Sequence, residues 1–307
     1  MSAYRTIKDI FNSMIKDGKI IFLIIASILI AFSSVAPYLA DFTYNDILLE
    51  GIFSVTPFAF AWLVIGWTIT DKSLLRKPYP YLAIFSAWFI YEIYWYLFNF
   101  LFPITYTKSL TSEDIALGKS MSKVPTREWL NLQETAFNFY IILFFVIAVF
   151  IFVLFWYLTN PKNFPKNKFD IFKKKNFLYA ILGAILITMP HWITRSLYYI
   201  FGIRLFEFFI TNNLALEWYY FIINAIPVSI AFLIFGIIIT NIKMQKKYVL
   251  YSLIIVYTAV SFIPIYTITG LDINTDLFIF FRFLKYLISY FFVFLGFILL
   301  SKEKYLE

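Results

Sequence analysis

Hydrophobic positions in this chain fuse into eight long runs, separated by short polar segments. The runs cover residues 20–40, 52–70, 81–103, 136–159, 177–194, 218–240, 248–269 and 277–300. Crossing a hydrocarbon core of about 30 Å takes roughly 20 helical residues, and each run is close to that length. The apolar character is continuous, not alternating, so transmembrane helices are expected and an outer-membrane barrel is not. The expected fold is an all-α integral membrane bundle of about eight transmembrane helices, forming a single polytopic membrane domain over residues 1–307.

The polar segments alternate in charge. The N-terminal stretch with Arg5, Lys8, Lys16 and Lys19, DKSLLRKPYP, NPKNFPKNKFDIFKKKN, NIKMQKK and SKEKYLE together hold 18 of the 26 Lys and Arg. The intervening segments hold 11 of the 18 acids, among them Asp41, Glu50, Glu134, Glu207, Glu217 and Asp276. Basic segments resist translocation, so the first set is expected on the cytoplasmic side, with both termini there. The basic start before the first run also fits a secretory leader with an exit at Tyr38-Leu39-Ala40. That run is long for a leader, and an uncleaved first span is expected.

Two connections are long. Residues 104–135 form the expected outer loop. Within it TSEDIALG carries a capping box (Thr111, Asp114) and a stop at Gly118, and VPTREWLNLQET places Trp129, Leu130 and Leu132 together. Both read as short helices lying at the membrane surface. Residues 160–176 form a basic, proline-punctuated inner loop suited to anionic headgroups.

Composition narrows the class. The chain is 62 % hydrophobic and 14 % charged, against about half and a quarter for a soluble domain. The net charge of +8 is what basic loops on one side of a membrane produce, and no nucleic-acid motif accompanies it. Cysteine is absent, which removes disulfides, thiolate metal sites and Cys nucleophiles. Most tryptophans fall near the ends of spans, as interfacial belts do.

Ionisable residues inside spans mark candidate sites, because a charge in hydrocarbon is costly. There are four: Glu92, His191, Arg282 and Lys285. At about 1.5 Å rise per residue, Glu92 lies about 13 Å below the outer surface and Lys285 about 12 Å, with Arg282 at about 8 Å and His191 at about 9 Å. Matching depth predicts a Glu92–Lys285 pair, Arg282 one turn above it and His191 nearby. Pro37, Pro57, Pro103, Pro190, Pro227 and Pro264 share the same bias toward the outer half. Proline bends helices, so a vestibule opening outward is expected. Arg195, Arg204, Glu207 and Trp129 are expected to form an outer docking rim.

Chemistry is largely excluded by what is missing. One histidine cannot supply both axial ligands of a haem, and Met189 lies two residues away on another side of the helix. No HExxH, G-x-S-x-G, G-x-G-x-x-G or P-loop occurs. No metal site and no catalytic residue is expected, and any haem or quinone would come through a partner. The leading expectation is a non-catalytic subunit in the cell membrane that anchors an extracytoplasmic partner in a larger complex. A respiratory or electron-transport assembly fits, with a quinone contact at the four buried ionisable residues. The alternative is a permease or channel for a small anion or protons, or a component of a macromolecular import pore.

Overall fold

The computed structural model describes residues 7–39, 47–102, 127–201, 213–240, 247–261, 263–265, 268 and 276–301. Among them 90 % are helical and none is in a strand. A short amphipathic helix, α1 (Ile7–Lys16), precedes the bundle. It buries Met14 and turns through Gly18, whose φ of 67° only glycine adopts freely, into α2 (Lys19–Leu39). There follow α3 (Ile47–Ile69), α4 (Tyr79–Leu101), α5 (Arg127–Thr159), α6 (Lys175–Phe201), α7, α8 (Lys247–Ser261) and α9 (Asp276–Ser301). Helix α7 begins as Asn213–Tyr219, widens into a π-helical turn at Tyr220–Ala225 and continues as Ile226–Ile239.

Seven of these helices are long and apolar enough to cross a membrane, which marks a multi-pass membrane protein. The eighth, α8, is shorter: its run was expected to reach residue 269, and its regular part ends at Ser261, ahead of Pro264. Proline donates no backbone hydrogen bond and crowds the preceding turn. The expected outer loop is also shorter than its sequence suggested. Residues 127–135 are the first turns of α5, a 33-residue helix, and no separate surface helix forms there. TSEDIALG lies outside the described residues.

Each helix packs on the next in chain order, and α9 returns to pack on α2, closing a ring of eight. Neighbours run antiparallel, as contacts at the two ends show. At one end the Lys19 ammonium donates to the Thr68 carbonyl at 3.1 Å, and the Asp71 amide donates to that of Leu158 at 2.8 Å. At the other, the Trp129 indole donates to the Phe102 carbonyl at 3.2 Å and Arg282 Nε to that of Ser34 at 2.8 Å. The first end carries most of the described lysines and is called the basic end below; the other is the far end.

The outer surface of the ring is apolar. On α2, Ile21, Ile24, Ile25, Ile28 and Phe32 form one exposed stripe, while Leu23, Ala26, Ile30 and Ala31 face inward. A helix apolar on both faces needs a hydrocarbon solvent outside it. Inside, the half nearer the basic end is filled by aromatic rings. Trp62 stacks on Trp88 at 5.4 Å and meets Phe155, Phe235 and Phe294 edge-on. Five helices thus meet in one dry plug.

Glycine is scarce in the spans because it serves only at the closest crossings. At Gly183 an added Cβ would lie 2.2 Å from the Phe152 ring and 3.3 Å from Ile234. A buried ring flanked by a third helix yields little. Gly183→Val is therefore expected to cost about 1–3 kcal/mol by overpacking, read as a lower thermal midpoint in detergent. An unchanged midpoint would mean that α5, α6 and α7 do not meet there.

Candidate functional site

The half of the ring nearer the far end is polar and hollow. Three helices supply spaced polar stripes. On α9 these are Arg282, Lys285, Tyr286 and Ser289; on α7, Glu217, Tyr220 and Asn224; on α8, Tyr257 and Ser261. Positions three, four and seven apart share a helix face, so each stripe turns inward as a unit. Together with Tyr38 of α2 they wall a partly open cavity of about 370 Å³.

Backbone irregularity concentrates around the same cavity. Asn224 sits in the π-helical turn of α7, and the irregular end of α8 lies opposite. Lys285 donates its ammonium to the Ile263 carbonyl at 3.4 Å, one residue before Pro264. Carbonyls at a helix C-terminus carry negative partial charge, which suits a cation there. Glu217 is the one acid among the described lining residues, and its charge reaches Lys285. With two cations and one acid, the described wall is net positive.

A second, smaller cavity of about 160 Å³ lies beside the first. It holds Glu92 of α4, Tyr96, Ser33, Ser34 and Ser54, and it shares Tyr38 and Arg282 with the larger one. Arg282 is fixed in this dividing wall. Its Nε holds the Ser34 carbonyl, and its guanidinium lies 5.2 Å from the Tyr38 ring centre and 5.5 Å from that of Tyr286. Such cation–ring contacts each add about 0.5–2 kcal/mol in a desolvated setting.

Glu92, Arg282 and Lys285 line the two adjoining cavities in the same half of the bundle, with a pairing other than the one expected. Among the described residues no ion pair joins Glu92 to Lys285. Depth fixes only the coordinate along the membrane normal. The order of the ring puts α4 on the other side of α2 and α3 from α9, so Lys285 faces Glu217 and Glu92 faces Arg282. His191 stands apart from both cavities. Its ring is packed against Phe144 at 5.5 Å and Tyr140 at 6.0 Å, edge to face.

The expected docking rim is altered as well. Arg195 turns inward, donating to Asn138 and, at 3.2 Å, to Glu134, with its guanidinium 5.5 Å from the Phe137 ring centre. Trp129 is buried where α5 meets the end of α4. Both tie α5 to its neighbours at the far end. Arg204 and Glu207 lie outside the described residues. Arg195→Ala is expected to cost about 1–3 kcal/mol, since Asn138 and Glu134 lose a charged partner. Denaturant titration of the detergent-solubilised protein reads this, and a double variant with Glu134→Ala should cost less than the sum of the two.

Glu217 and Tyr38 are site residues that the sequence reading missed. Glu217 begins a predicted span and looks like surface, yet its i, i+3, i+7 spacing with Tyr220 and Asn224 was a legible polar stripe. Among the described residues no group of three His, Asp or Glu side chains is placed to hold a metal ion. The chain matches no known family model, and no curated protein or solved structure matches it.

Proposed function

We propose that the protein is a permease for a small organic anion, with the larger cavity as its binding site. The observation carrying this reading is the placement of Arg282 and Lys285, one turn apart, in a cavity of about 370 Å³ backed by the aromatic plug. A cavity of that size suits a small molecule, and irregular helix ends at its wall suit a solute site in a transport protein. Arg presents a planar fork to carboxylate, sulfonate or phosphate groups, while Lys adds a point charge. Tyr38, Tyr220, Tyr257 and Tyr286 offer ring faces and hydroxyls to the rest of the solute. On this reading the basic end faces the cytoplasm, the cavity faces the outside, and the host membrane is the cell membrane, as the charge of the loops implies. The two described members of the expected docking rim are engaged within the chain, which weakens the anchoring-subunit reading.

Benzenesulfonate is a suitable probe. It is aromatic, small and permanently anionic, so it neither titrates nor crosses the bilayer as a neutral acid. Calorimetry on the detergent-solubilised protein should show saturable binding, weakened about tenfold by Lys285→Gln. Loss of one exposed-to-cavity charge contact accounts for about 1–2 kcal/mol, hence that factor. Absence of binding by benzenesulfonate, acetate and phosphate alike would overturn the assignment.

A further inference from the structure

Apart from Tyr38 and Arg282, which it shares with the anion cavity, the smaller cavity is lined by residues that the anion site does not use, and one of them carries a carboxyl group. Among the described residues Glu92 makes no hydrogen bond and no ion pair, an expensive arrangement for a carboxyl at that depth. Two features connect it to the anion cavity. Arg282 lines both spaces. Tyr290 of α9 packs on Tyr257 and Tyr286, ring centres 6.1 Å from each, and lies within electrostatic reach of Glu92. Glu92 therefore shares a cavity wall with the cation of the anion site and has a buried tyrosine of α9 within electrostatic reach.

We propose that the protein couples anion movement to protons, with Glu92 as the proton-carrying group and Arg282 as the link between the two cavities. This rests on the permease reading of the larger cavity. The charges surrounding Glu92 determine the sign of the coupling. Arg282 is the cation facing it; the other titratable neighbours are Tyr91 and Tyr96 on its own helix, Tyr140 on α5, Tyr290 on α9 and Tyr38 on α2. Glu50, on α3, acts on Tyr96 from the far-end side. An anion bound at Arg282 puts negative charge against the wall that the two cavities share, so a proton on Glu92 and an anion on Arg282 favour each other. Linkage makes the effect reciprocal: each raises the affinity of the other by the same factor. Both then move in the same direction, one negative and one positive charge together.

The test uses the full-length protein in liposomes with a pH-sensitive dye inside and benzenesulfonate outside. The wild type should acidify the interior in step with benzenesulfonate uptake. An imposed pH gradient should drive accumulation by about tenfold per pH unit for one-to-one stoichiometry, since one unit is worth about 1.4 kcal/mol. Glu92→Gln should lose both the acidification and the gradient-driven accumulation. Tyr290→Phe, which keeps the ring, should slow acidification about tenfold or more. Benzenesulfonate binding by calorimetry serves as the folding check on each variant. Uptake by the wild type with no proton movement, or a Glu92→Gln variant that acidifies like the wild type, overturns the coupling and leaves the permease reading standing. A wild type that binds and moves no benzenesulfonate, acetate or phosphate overturns both.

Discussion

Replacing Arg282 with Gln should lower benzenesulfonate affinity by about two to three orders of magnitude and loosen the bundle. The size follows from what is removed. Truncating one member of a desolvated charge pair costs about 2–5 kcal/mol, and each 1.4 kcal/mol is tenfold in affinity. The structural loss is separate. Arg282 Nε ties α9 to the Ser34 carbonyl of α2, the joint that closes the ring, and its guanidinium rests among Tyr38, Phe278 and Tyr286. Losing these contacts should cost a further few kcal/mol of stability, about 1–3 from the hydrogen bond alone. Arg282→Lys separates the two effects. It keeps the charge near the cavity but has no Nε and no fork. It should destabilise nearly as much as Gln while keeping most of the electrostatic part of the affinity, leaving a loss of about tenfold. Calorimetry gives the affinities and thermal midpoints in detergent give the stabilities. Equal affinities for the Gln variant and the wild type would remove Arg282 from the anion site.

The membrane class was legible because hydrophobic length is a one-dimensional property, and a bilayer sets its scale. The exceptions have local causes. The first turns of α5 carry Arg127, Glu128, Asn131, Gln133 and Glu134, so a hydropathy boundary falls at Ala136 although the hydrogen-bonded helix starts nine residues earlier. The regular part of α8 stops short of its apolar run because Pro264 interrupts it, an effect hydropathy does not register. For the site, the buried charges announced themselves by their cost, and three of them, Glu92, Arg282 and Lys285, line the two cavities. Their partners were not legible. The Glu92–Lys285 pairing fails because the angle around the bundle axis depends on which helices adjoin, and only packing decides that. Arg195 and Trp129 looked like surface for a related reason. Both belong to span ends, where the sequence cannot distinguish a side chain reaching out from one reaching across to a neighbouring helix.

Trp62→Ala should be the most destabilising single substitution in the half near the basic end, at about 3–5 kcal/mol. Trp62 is 4 % exposed and touches the rings of Phe58, Trp88, Phe155, Phe235 and Phe294, drawn from five helices including its own. No rearrangement of one neighbour refills such a space. Trp62→Phe should behave differently. The indole N–H of Trp62 is buried with no hydrogen-bond partner, as is that of Trp88 beside it. An unsatisfied buried donor costs about 1–3 kcal/mol, so deleting it offsets much of the lost ring area, and the Phe variant should stay within about 1 kcal/mol of the wild type. The two variants also bear on the seal between the ends of the bundle. The hole left by alanine would be lined by Phe58, Phe155, Phe235, Phe294 and Trp88, whose single N–H is fewer than the two to four polar partners a buried water needs, so it stays dry. Liposomes holding the Ala variant should therefore be no leakier to protons than those holding the wild type, despite the large fall in thermal midpoint. Leakage on this one substitution would show that the rings act as a gate that water can open, whereas a tight but unstable variant identifies them as packing whose sealing is spread over several helices.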